Sequence, residues 1–156
     1  MHPVHQGFLE MLREGPLVMS GAVGTELLRR GHPTPLPLWS TAALIEDPAA
    51  VRRLHGDYVK AGARIVTANT FRTDRVTLSK VGLADRTREL NKLAVALARQ
   101  GVFDARPIRP VFVAGSIAPV EDCYRPDLVP EDRQLKIEHG VKVGHLVSAQ
   151  AAFALV

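Results

Sequence analysis

The 156-residue sequence predicts an α/β fold built on parallel strands, the first half of a (β/α)8 barrel with about three and a half β-α units. Three observations predict it. Short, continuously apolar runs recur at Leu17–Met19, Ile65–Ala68, Val111–Ala114 and Phe153–Val156, roughly 45 residues apart, as in strands covered on both faces. Helical patterns fill the intervals, giving the order β-α-β-α-β-α-β. The first three runs lead into Gly, Ser, Thr or Asn, the residue types found where parallel strands present a ligand face. A small open sheet has the same order; the start of a fourth strand at Phe153 favours the half barrel.

Taken in order, residues 2–14 read as a short helix turning Phe8, Leu9 and Leu12 inward and stopped by Gly15-Pro16. Leu17–Met19 follows as a buried strand. Ser20, Gly21, Ala22, Val23 and Gly24 then form a tight turn, and Thr25 caps a helix to Arg30. Amide groups at such a strand–turn–helix junction favour an anionic ligand. The turn lacks the lysine of a phosphate-binding loop and the G-x-G-x-x-G spacing of a dinucleotide site. His32-Pro33-Thr34-Pro35-Leu36-Pro37 is extended, with Trp39 packing at its end and Ser40 capping a helical turn over 41–45. Asp47-Pro48 starts the next helix, whose apolar stripe includes His55, read as a packed histidine with its polar atoms satisfied, and which closes at Gly62.

The second strand runs into Asn69, Thr70 and Phe71. A helical region broken near Gly82 follows, with Leu90, Leu93, Ala94, Leu97 and Ala98 on one face and Gly101 at its end. The third strand ends in Gly115 and Ser116. A proline-bearing loop with Cys123 leads to a last helix over residues 131–149.

Composition bounds the function. The net charge is +4, but the arginines are scattered among acids without interleaved aromatics, which argues against a nucleic-acid surface. No apolar run is long enough for a membrane helix, and the N-terminus lacks the pattern of a secretory leader. Cys123 is the single cysteine, so the chain forms no internal disulfide and no multi-thiolate metal site of its own; the expected compartment is the cytoplasm.

Read together, SGAVGTELLRRG, PLWS, DPAAVRRLHGDYVKAGARIVTANTF and VAGSIAP resemble the homocysteine S-methyltransferase family. The resemblance runs from Leu17 to the C-terminus, so that residues 1–156 would constitute the N-terminal half of the family's homocysteine-binding barrel domain. It implies a zinc-dependent enzyme in which three cysteine thiolates from later strands hold the metal. The homocysteine thiol joins them as thiolate and attacks the methyl group of a sulfonium, ammonium or folate donor. It further implies that Ser20, Gly21 and Ala22, with Thr67, Asn69, Thr70, Gly115 and Ser116, line the substrate mouth, and that amides near Gly21 and Ala22 receive the substrate carboxylate.

Three departures stand out. Ser20 occupies the place of the aspartate that pairs with the substrate ammonium in the family. The zinc cysteines belong to the family's second half, and Cys123 is not at one of their positions. The sequence stops at Val156, before a glutamate that also holds the amine. The expectation is therefore a truncated or split methyltransferase domain, inactive alone, that self-associates or pairs with a complementary half. The alternative is a non-catalytic binding or assembly module derived from the same barrel. A hydrolase is disfavoured, because there is no G-x-S-x-G elbow.

Overall fold

The computed structural model describes residues 3–156, with side chains from Gln6 onward. The predicted helix over 2–14 is α1 (Pro3–Glu14); His2 lies outside the described residues. The elements that follow are α2 (Val23–Arg29), α3 (Thr41–Glu46), α4 (Pro48–Lys60), β1 (Ile65–Thr67), α5 (Arg75–Ser79), α6 (Thr87–Ala105), β2 (Phe112–Ser116), α7 (Asp132–Ser148) and β3 (Phe153–Leu155). Short 3-10 turns at Ala84–Arg86 and Pro126–Leu128 lead into α6 and α7.

The sheet is parallel, in the order β1-β2-β3. Ile65, Val66 and Thr67 stand beside Phe112, Val113 and Ala114; Ala114, Gly115 and Ser116 stand beside Phe153, Ala154 and Leu155. Because side chains alternate, Val66 and Val113 share one face, which packs on Val59 of α4, Val95 and Ala98 of α6 and Leu146 of α7. Ile65, Phe112, Ala114 and Phe153 share the other. There α1 lies across the sheet, with the Phe8 ring 5.3 Å from Phe112 and 4.7 Å from Phe153. A second core, among the helices, gathers Leu27, Leu44, Val51, Leu54, Leu78 and Leu90.

The predicted first strand reduces to one parallel bridge, Met19 to Ile65, flanked by hydrogen bonds from Arg64 N to Val18 O (2.8 Å) and Ser20 N to Ile65 O (2.8 Å). It is not buried: Val18 is 62% and Met19 47% exposed, because among the described residues only β1 pairs with the segment. Leu9 and Leu12 are likewise exposed rather than inward, since α1 touches the sheet chiefly through Phe8. Asp47 caps α4 as expected, accepting from Ala50 N at 3.0 Å, with Pro48 in the first helical position.

Gly101 does not end its helix. It lies inside α6, where an added Cβ would stand 2.6 Å from the Arg52 carbonyl oxygen and 2.9 Å from Gly56 N. The glycine is there because the α4 and α6 backbones touch. The helix continues to Ala105 and closes through Arg106, at φ 49°.

Candidate functional site

The polar groups singled out in the sequence gather at the C-terminal ends of the strands, carried by three successive loops. The first loop leaves the Met19 bridge. Ser20 Oγ accepts a hydrogen bond from Thr67 N at 3.0 Å, tying that loop to the end of β1. Gly21 and Ala22 are exposed, and Tyr58 of α4 pins the turn by donating its hydroxyl to Ala22 O at 3.2 Å. A Cβ on Gly21 would meet the Tyr58 hydroxyl at 2.8 Å, so a larger residue there would displace the tip of the Tyr58 ring. Ala22, not Thr25, is the N-cap of α2, so the helix is capped three residues earlier than the sequence suggests. Glu26 in its first turn is bound by Arg29 and Arg30, whose hydrogen bonds pull its carboxyl down to about 2. Gly24 is buried against the Trp39 indole, and a Cβ there would fall 2.0 Å from Nε1.

The second loop leaves β1. Asn69 is buried, with its Nδ2 donating to Ser40 O (2.8 Å) while Ser40 Oγ donates to Asn69 Oδ1 (2.6 Å). The Ser40 side chain therefore holds Asn69 instead of capping α3. Thr70 is also buried. Its hydroxyl donates to Ser116 O at 2.9 Å and accepts from Ser116 N at 2.8 Å, joining the ends of β1 and β2. Asn69 and Thr70 thus shape the site from behind. Thr67, Ser20 and Ser116 are the half-buried members. Gly115 is directed away from the mouth: a Cβ there would strike Leu146 of α7 at 2.6 Å.

Sequence reasoning missed Lys142 on α7 and Arg72 after β1, both buried. Lys142 Nζ donates to Thr70 O and to Thr73 Oγ1. Arg72 Nη2 lies 4.0 Å from both Asp122 Oδ1 and Cys123 Sγ. Nothing local in the sequence marks either as buried, since both are long charged residues. A cavity of about 1260 Å³ lies towards the opposite, N-terminal end of the strands, lined by Met11, Arg64, Arg109, Phe112, Val147 and Phe153 among others, and no predicted site residue is part of its lining.

Among the described residues no group of three His, Cys, Asp or Glu side chains could hold a metal ion, and Cys123 is exposed. These residues therefore do not fit the metal that the resemblance implies. Likewise, among the described residues no helix is long and apolar enough to cross a membrane.

Parallel strands with their polar side chains collected at the carboxyl ends define a parallel α/β protein, a class in which ligands bind at the strand termini. The chain belongs to the homocysteine S-methyltransferase family, whose model matches residues 17–156. It is 30% identical over 113 residues to homocysteine S-methyltransferase 2 of Zea mays, covering 66% of this chain and 33% of that protein. It is 31% identical over 108 residues to homocysteine S-methyltransferase of Escherichia coli K12, covering 66% of this chain and 35% of that one. The chain thus spans about a third of the length of these curated relatives. The crystal structure of the metallated form of the homocysteine methyltransferase MmuM from E. coli superposes with a TM-score of 0.84 at 26% identity, over 95% of this chain and 56% of that one.

Proposed function

We propose that this chain forms the homocysteine-binding half of a (β/α)8 S-methyltransferase barrel, within which a methyl group passes from a donor to the sulfur of homocysteine to give methionine. The observation that supports this most directly is the family match over residues 17–156, taken with the linkage of the first loop to β1 through Ser20 and Thr67. On this reading Ser20, Gly21, Ala22 and Thr67 meet the amino-acid end of the substrate, Ser116 borders it, and Asn69 and Thr70 hold the loops in place. The zinc that activates the thiol belongs to cysteines outside this sequence. The chain alone is therefore inactive; it self-associates, or combines with a complementary half, which alone would supply those ligands.

The test measures bound zinc and conversion of homocysteine to methionine, with S-methylmethionine, S-adenosylmethionine or betaine as donor. The chain alone should bind no stoichiometric zinc and turn nothing over. Mixed with the C-terminal half of the E. coli relative, it should gain both. Stoichiometric zinc and turnover by the chain alone would overturn the division of labour. Homocysteine binding without turnover in the mixture would favour a non-catalytic binding module, a reading supported by Ser20 and by the single cysteine.

Ser20→Asp provides a sharper check. A carboxylate there would still accept from Thr67 N and would add a charge-assisted partner for the substrate ammonium. Homocysteine affinity in the mixture should rise about tenfold, roughly 1.4 kcal/mol. An unchanged affinity would place the ammonium elsewhere.

A further inference from the structure

The helix α7 buries Glu138, Lys142 and Leu146, and its polar residues serve a network that the functional reading leaves unexplained. Lys142 is 3% exposed. Its Nζ lies 2.5 Å from Thr70 O and 2.7 Å from Thr73 Oγ1. The Thr73 hydroxyl has one proton, which reaches either Thr70 O at 3.0 Å or Asn91 Oδ1 at 2.9 Å. Asn91 of α6 in turn donates to Thr73 O (2.8 Å) and Thr87 O (2.7 Å). Lys142 is thus the one described side chain that ties α7 to the turn leaving β1, and Thr70 carries that tie to Ser116.

We propose that Lys142 is the positioning residue of the strand-end site: its amine holds the Thr70–Thr73 turn, and through Thr70 the end of β2, and uptake of a proton at that amine loosens the turn. That Thr70 and Ser116 belong to a substrate site rests on the functional reading above; the link from α7 to β2 does not.

The direction follows from solvation. A sealed amine is better neutral, and burial pulls Lys142 down to about 7, against a smaller opposing attraction from Asp74. Opening the turn returns the amine to water, where it takes a proton at the ordinary lysine value. Opening is therefore coupled to proton uptake, and acidification from pH 10 towards 7 favours the open turn. Other charged groups surround the network. Asp74 caps α5 with one carboxylate oxygen and leaves the other buried without a partner. Arg75 pairs with Glu138 across α5 and α7. His139 and His145 lie on α7, and Arg88 and Lys92 of α6 act on His145 together with Lys142.

The experiment is an NMR titration of the isotopically labelled chain between pH 5.5 and 10, following Lys142 Nζ and the amides of Thr73 and Ser116. The wild type should show one shared step in all three signals, with its midpoint well below the ordinary lysine value. Lys142→Gln keeps a neutral donor and should hold the turn with no such step. Lys142→Met removes the donor and should shift both amides at every pH. A Lys142 midpoint above 10, or a step that persists in Lys142→Gln and so belongs to a histidine, would overturn the proposal. Homocysteine titrated into the mixture with the complementary half separates the two readings. Affinity about tenfold weaker in Lys142→Met supports positioning of the site, and unchanged affinity overturns it. No homocysteine binding by the wild type overturns the functional reading, and the coupling is then judged on the NMR titration.

Discussion

His55 is fully buried on the inward stripe of α4, and neither ring nitrogen has a hydrogen-bond partner among the described residues. The sequence marks it as packed, but its polar atoms are not satisfied. Desolvation pulls its pKa from 6.5 to about 4. Between those values the unfolded chain binds a proton that the folded chain refuses, so stability falls as the pH drops from 6.5 to 4, by about 3 kcal/mol in all. His55→Leu should remove that part of the slope, read as the urea midpoint against pH; an unchanged slope would mean that the ring is solvated. At Gly101, packing rather than charge decides. An added methyl meets backbone of α4 at 2.6 and 2.9 Å, and backbone cannot swing aside. Gly101→Ala should cost about 2–3 kcal/mol, seen as a lower Tm.

At the scale of elements, local chemistry was legible where it acts alone. Asp47-Pro48 starts α4 because one carboxylate oxygen satisfies an orphan amide and proline suits the first turn. Asp47→Ala should therefore lower stability by about 1 kcal/mol in denaturant titrations, with the fold retained. The parallel strands and the loops at their ends were legible for the same reason, as apolar runs stopped by small polar residues. What failed was set by distant partners. Gly101 reads as a terminator until α4 is known to cross it. Leu17–Met19 reads as a buried strand, yet the described structure gives it one neighbour. Lys142 reads as a surface residue, because only the assembled turn of Thr70 and Thr73 can accept its hydrogen bonds.

At the scale of the molecule, α7 is turned against expectation. It buries charged residues and leaves Ile137, Val141, Val143 and Val147 at 40% to 70% exposure. Beside it, β3 is an edge strand of the described sheet. An open parallel edge next to an apolar helix face invites association. Sedimentation velocity should show mass rising with concentration, and Val147→Lys should shift the distribution towards monomer; a monomer at every concentration would contradict the self-association proposed above.

The reciprocal pair between Thr70 and Ser116 bears on what the mouth can recognise. Thr70 has committed its only proton to Ser116 O and a lone pair to Ser116 N, so it has no donor left for a guest. Ser20 has used one acceptor on Thr67 N, but its proton has no acceptor among the described residues. The open hydrogen-bonding valence of this end is thus Ser20's, one proton and one remaining lone pair, while Thr70 acts as a fixed strut. An uncharged hydroxyl of this kind complements a hydrogen-bonding group of either sense, whereas a carboxylate in its place would select for a cation.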